Sequence, residues 1–328
     1  DRRGCLLALI GLGLTVLLSL LLFDAKVNIG GDDSAYLMRA YRLIHSGVYP
    51  SYQGPLYPMV LALVMLVTGF KVWVFKLLSV AFTAGGYWVL YRAFRGRVAG
   101  VVLYPALILT ALCPAMAYYA SQTYSEPFFM LLQAALLLCL VRWFADPDRE
   151  GSLRRDFRKY LMLGLLLFLM GITRTAGYFA IPAVAIFFLC YGKWRPAVYT
   201  LLSFGLFNGL FSLAKSVVWD VSGPQFADQL KQLTAVDPYN QALGAETFGG
   251  YVKRLFINAE QYLSGHVSIF LGWSDHAQPT GSVLMTLVVC ALVVAALVLA
   301  YRRNRALFAA GVYAVVVGGC TFLSLQTS

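Results

Sequence analysis

Charge is what this chain has least of. Only 12% of its 328 residues are Asp, Glu, Lys or Arg, against 60% hydrophobic, where a soluble domain carries about 25% charged residues. That deficit excludes an ordinary water-soluble domain and points to an integral membrane protein. Histidine is scarce too: His45, His266 and His276 stand alone, and no HExxH or His/Cys spacing marks a metal site. The six cysteines lie in or beside apolar runs and form no CxxC, so neither a disulfide framework nor a zinc site is expected. There is no Walker loop, no dinucleotide glycine pattern after a strand and no GxSxG. The acids are outnumbered, 15 against 26 bases, for a net charge of +11. In a membrane protein that excess indicates cytoplasmic loops rather than nucleic acid. The chain starts at Asp1 and stops at Ser328 just after an apolar run, and reads as a trimmed or partial protein.

Against that background the apolar runs set the architecture. Runs that can span lie at residues 5–23, 72–91, 98–117, 127–144, 160–172, 178–191, 197–219, 283–300 and 307–325. A tenth, residues 56–70, is short for the ~17–25 residues a span needs. Its placement decides the topology. If it spans, the basic clusters at 92–97, 149–159, 193–195 and 302–305 fall opposite Arg2 and Arg3. If it lies in the interface, every cluster shares the N-terminal side, as the positive-inside rule asks. The loop 220–281 agrees, with six acids against three bases. The expected fold is therefore all-α: a single polytopic transmembrane bundle over 1–328 with about nine spans. Its first extracytoplasmic loop, 24–71, carries interfacial helices, and a second large one covers 220–281.

The most polar text in the first third is NIGGDDSAYLMRAYRLIHSGVYPSYQGPLYP, residues 28–58. Leu37, Ala40, Tyr41 and Ile44 recur at helical spacing, and Gly47 suits the residue after a helix end. Asp32 and Asp33 open that amphipathic helix beside a span, where an acid is a functional candidate by default. One of them could simply cap the helix. Alternatively, a carboxylate at the helix's positive end stays ionised and could take a proton from an attacking hydroxyl or hold a cation. Further along, YYASQTYSEP at 118–127 holds one acid, Glu126. There Ser125 could cap the next helix with Glu126 and Pro127 in its first turn. The functional reading instead puts Glu126 at the outer surface as a second acid or sugar ligand. Arg174 in GITRTAG falls on that same side, where its forked donors suit a lipid phosphate as well as snorkelling would. Lys253 and Arg254 are weaker phosphate candidates. Tyr36, Tyr52, Tyr57 and Tyr124 complete the expected substrate-binding set, although an interfacial aromatic belt is the plainer explanation for such tyrosines.

The stretches GDDSAYLMRAYRLIHSG, GPLYP, SQTYSEPFFMLL and GITRTAG, in this order over residues 1–190, resemble the GT-C superfamily of membrane glycosyltransferases. They look most like the branch with protein O-mannosyltransferases and lipid A aminoarabinose transferases. The resemblance implies a polyprenyl-phosphate-linked sugar donor and a lipid, glycan or protein acceptor at the extracytoplasmic face of a bacterial inner membrane. It also implies an inverting hexosyl or pentosyl transfer. By position Asp32 would be the base, with Asp33 as alternative, Glu126 the second-loop acid and Arg174 a phosphate contact. No cofactor is expected, and metal independence follows the closest branch. The chain departs from the family in having DD where DE is common, GPLYP where PPL is common, and fewer spans than many members. A transporter or flippase of lipid-linked glycans, an O-antigen polymerase or ligase, and a non-catalytic assembly subunit are the rival readings.

Overall fold

The structure is a computed structural model that describes residues 2–27, 31–51, 54–145, 153–219, 221, 234–237, 240–267 and 281–323. Among these the regular structure is helical, apart from one isolated bridge between Ala235 and Ala245. Thirteen helices are labelled here in chain order: α1 Arg2–Leu21, α2 Asp32–Ser46, α3 Leu56–Thr68, α4 Val72–Phe94, α5 Gly100–Ala111, α6 Pro114–Ala120, α7 Glu126–Phe144, α8 Leu153–Thr173, α9 Ala180–Cys190, α10 Trp194–Trp219, α11 Phe248–Glu260, α12 Val283–Arg303 and α13 Arg305–Thr321.

Five of them (α1, α4, α7, α10 and α12) are long and apolar enough to cross a membrane, and the number is up to six if the bent pair α5–α6 counts as one span. That pair turns by 54° at its break, where Pro114 opens α6 and cannot continue the hydrogen-bond ladder of α5. Helix α3 has 13 residues; at ~1.5 Å per residue it covers roughly 20 Å, short of a ~30 Å hydrocarbon core.

Contacts fix how the helices run. Lys76, in the first turns of α4, reaches Asp24 just past the end of α1, so α1 and α4 are antiparallel. Gly86 of α4 lies against Met130 and Leu131 of α7, and Lys76 bonds Gln122 just before α7, so α4 and α7 run together. Gly164 of α8 meets Ser203 of α10 in the same sense. The bundle therefore has two unlike ends. One gathers Asp33, Lys76, Ser125, Glu126 and Arg174. The other gathers Arg97, Arg142 and Arg302 to Arg305, tied by Asn304 donating to the Arg97 carbonyl at 2.7 Å.

Helix α2 corrects the expected apolar stripe. Its buried face is Asp33, Tyr36, Leu37 and Ala40, while Tyr41 is exposed and Ile44 only partly covered. The stripe is rotated because α2 packs on α3 through Tyr36, whose ring meets Tyr57 edge-on at 5.1 Å. Gly47 closes the helix as expected, in the left-handed region at φ 63°.

Candidate functional site

The acid-bearing end is built by segments distant in sequence. Neither acid of α2 is its N-cap: Gly31 holds that position, and no side chain caps the helix. Asp33 is instead fully buried and faces the loop before α7. Its Oδ1 accepts from the Thr123 backbone N–H at 3.0 Å, and its Oδ2 lies 4.0 Å from the Lys76 ammonium. Lys76, itself buried, donates to Asp24 Oδ1 at 2.6 Å and to Gln122 Oε1 at 3.2 Å. The same ammonium holds the Asp24 carboxyl below its usual value. Asp33 thus anchors helix to loop, which is a structural task.

Asp32, one residue earlier, points elsewhere. It is half-buried and, among the described residues, has no hydrogen bond or ion pair, yet its charge is felt at Tyr36, Tyr124 and Arg174. A carboxylate in that setting has its lone pairs available to an incoming donor.

Ser125 also departs from the capping role. It makes no side-chain cap to α7. Its Oγ sits 2.9 Å from the Tyr36 hydroxyl and accepts from Arg174 Nη1 at 2.9 Å. Arg174 Nη1 in turn pairs with Glu126 Oε1 at 2.6 Å. Burial pulls the Arg174 pKa down, but Glu126, Tyr36 and Asp32 together outweigh it and keep the guanidinium above its ordinary value. A third of the Arg174 side chain remains exposed. Glu126 Oε2 is buried without a hydrogen-bond partner among the described residues; a buried unmatched acceptor is costly, and a ligand hydroxyl would satisfy it. Snorkelling does not describe this arginine.

The tyrosines frame these groups. Burial pushes the Tyr36 phenol up to about 12 and the Tyr124 phenol up to about 12, so both stay protonated donors at neutral pH. Tyr57 is fully buried, its pKa is raised for the same reason, and its hydroxyl lies 3.5 Å from Ser79 Oγ. It therefore supports Tyr36 from behind. Tyr52 lies outside the described residues.

Gly54 explains how the GPLYP segment reaches this end. A Cβ there would stand 2.3 Å from the Thr173 carbonyl oxygen, one residue before Arg174. Only glycine allows this approach. Gly54→Ala is expected to cost about 1–3 kcal/mol, the usual overpacking range, and to displace Arg174. Thermal unfolding in detergent checks this, and an unchanged midpoint would show that the contact yields freely.

Lys253 and Arg254 fall elsewhere. Lys253 is exposed on α11. Arg254 is buried, ion-paired with Glu246, and donates to the carbonyls of Ala235 and, at 2.8 Å, Val236. It holds its own loop together, so it is not a phosphate ligand waiting at the site. Sequence reasoning passed over Lys76 and the buried Lys215, both counted inside apolar runs. The signal was present: an ionisable residue within such a run is a flag in its own right. Among the described residues no group of three or more His, Cys, Asp or Glu could hold a metal ion. No protein-family model, curated protein or solved structure matches the chain.

Proposed function

We propose that this chain is an integral membrane glycosyltransferase of the GT-C type. It would move a sugar from a polyprenyl-phosphate donor to an acceptor hydroxyl at the extracytoplasmic face. In this reading α1, α4, α5–α6, α7, α8, α9 together with the helical turn Thr175–Phe179 that leads into it, α10, α12 and α13 span, while α2 and α3 lie at the interface. The observation that carries the proposal is the convergence, at one end of an apolar bundle, of an unengaged carboxylate, Asp32, with a partly exposed arginine side chain, Arg174, that Glu126 and Ser125 hold in place. The basic clusters at the opposite end favour that end as cytoplasmic. An apolar groove of about 290 Å3 along α2, lined by Val27, Ser34, Leu37, Met38, Tyr41 and Phe70, suits an isoprenoid tail near the acids.

The chemistry follows from the groups. Asp32 accepts the acceptor's hydroxyl proton as the oxygen attacks the anomeric carbon. The bond from that carbon to the phosphate oxygen breaks, and polyprenyl phosphate leaves with the electron pair. Arg174 stabilises the negative charge that builds on the phosphate. Glu126 Oε2 accepts from a sugar hydroxyl and orients the ring. Attack opposite the leaving group inverts the anomeric centre.

The test supplies membranes containing the protein with radiolabelled polyprenyl-phosphate hexose or pentose. Transfer of label to a hydroxyl acceptor, with free polyprenyl phosphate released, supports the proposal. The bent pair α5–α6 favours one rival, because broken helices are a transporter feature. A transporter would carry label across the membrane on an unchanged lipid. Arg174→Ala is expected to lower transfer by roughly ten- to a hundredfold, with Arg174→Lys in between, since a point charge replaces a fork. Equal rates for all three proteins would remove Arg174 from the site.

A further inference from the structure

A second recess lies far from the acids. Helix α7 has 19 residues, so Arg142 in its last turn stands some ~25 Å from Glu126 in its first. There a cavity of about 740 Å3 is lined by Arg97, Arg142, Arg302, Arg303 and Arg305. They come from three separate places: the turn after α4, the end of α7, and the junction of α12 with α13. No carboxylate is among the described residues lining it, and none of the five makes an ion pair with a described residue.

A basic membrane face alone would be unremarkable under the positive-inside rule. Two features separate this cavity from such a face. First, it is braced. Asn304 caps α13 by accepting from the Ala306 and Leu307 amides at 3.0 and 3.1 Å, while donating to the Arg97 carbonyl at 2.7 Å. One side chain thus sets both the Arg302–Arg305 turn and the Arg97 turn. Tyr191 and Tyr301 stack at 5.2 Å, and Tyr301 donates to the Cys190 carbonyl at 3.1 Å. The Arg305 guanidinium lies over the Tyr191 ring, 4.4 Å from its centre. Second, all five bases are arginine. Like charges gathered in one recess repel, and an anion relieves that repulsion. Arginine forks match phosphate oxygens two at a time, which lysine does not.

We infer that this recess is a phosphate-binding site, independent of the acid-bearing end, whose ligand is the phosphate-bearing headgroup of an anionic lipid or a soluble polyphosphate. The position at a bundle end, beside the basic-flanked termini of α4 and α12, brings lipid headgroups within reach.

The test uses the full chain in detergent and follows retained ligand by native mass spectrometry. One arm offers phosphatidylglycerol against phosphatidylcholine, and a second offers inorganic pyrophosphate. Wild type should retain phosphatidylglycerol over phosphatidylcholine, or else bind pyrophosphate; which arm responds names the source. Arg142→Gln with Arg303→Gln, both exposed positions, should weaken that retention by about tenfold, the loss expected for two basic contacts. Arg142→Lys with Arg303→Lys should fall between. Arg92→Gln with Arg95→Gln removes two charges at the same end but outside the recess, and should retain the ligand as wild type does. Three results overturn the inference: no preference in either arm, unchanged retention in the Arg142/Arg303 variant, or an equal loss in the Arg92/Arg95 variant, which would mean diffuse attraction to a basic face. Matching unfolding midpoints establish that the variants are folded.

Discussion

Asp32→Asn should reduce sugar transfer by roughly a hundred- to ten-thousandfold, the range for removing a general base, while leaving the protein folded. The two halves of that expectation have separate grounds. Asn keeps the shape of Asp but cannot take a proton, so the attacking hydroxyl stays protonated as its bond to the anomeric carbon forms. Folding is spared because Asp32 makes no hydrogen bond or ion pair with a described residue and is not the cap of α2. Asp33→Asn should behave in the opposite way. Its carboxylate is fully buried, accepts from the Thr123 amide and faces Lys76, so the neutral amide weakens the helix-to-loop anchor and removes one of the two carboxylates around the buried ammonium, which keeps Asp24 and Gln122. A lower unfolding midpoint with residual transfer is the expected signature. Polyprenyl phosphate retention adds a control: Asp32→Asn should hold it as wild type does, because Arg174 keeps Glu126 and Ser125. Full transfer by Asp32→Asn would sink the base assignment. The reverse pattern, with Asp33→Asn stable and inactive, would exchange the two roles.

The candidate residues themselves were legible in the sequence, although which of Asp32 and Asp33 acts was not. Adjacent acids beside an apolar run, one acid in a tyrosine-rich turn and an arginine between two runs are local anomalies, and composition alone exposes them. Gly47 was legible for a similar reason, since a helix end needs one residue in a particular conformation. Partners were harder. Ser125 reads as a cap because a serine before Glu and Pro at a helix start usually is one; only the arrival of Tyr36 and Arg174 from other helices gives its hydroxyl another task. The facing of α2 was misjudged by one step of the helix. Periodicity offered Leu37, Ala40 and Tyr41 as a stripe, yet Tyr41 is exposed and Tyr36 buried. A polar tip on an apolar ring lets tyrosine serve either face, and a buried hydroxyl partner decides which. Arg254 failed differently. Its charge suggested phosphate, but Glu246, close by in sequence, neutralises it within one loop. The described helices also fall short of the nine spans read from the sequence: α9 and α13 have 11 and 17 residues, and α8, although 21 residues long, carries Asp156, Arg158 and Lys159 near its start.

Lys76→Met should be the most damaging single change to stability, at about 3–5 kcal/mol, the cost of stripping one partner from a buried charge pair. The argument rests on which charge is left behind. Lys76 touches two carboxylates, and their surroundings differ: the Asp24 side chain is 55% exposed, the Asp33 side chain wholly covered. Asp24 loses a close contact at 2.6 Å but can turn to water. Asp33 cannot, so its charge, tolerable beside the ammonium, becomes an uncompensated buried one. Asp24→Asn should therefore cost only ~0–1 kcal/mol, in line with exposed pairs. Combining Lys76→Met with Asp33→Asn removes both charges and should recover part of the loss, because a neutral amide still accepts from the Thr123 N–H. Unfolding of the four proteins in one detergent forms the double-mutant cycle, and strong coupling between positions 76 and 33 is its expected result. Strictly additive losses would mean that Lys76 is held by packing and by Asp24 instead. The effect should also reach the site. Asp33 fixes Thr123, and two residues on Ser125 holds both Tyr36 and Arg174. Lys76→Met should thus lower transfer even where the protein remains folded, and the double variant should restore some of it, although neither residue meets a substrate.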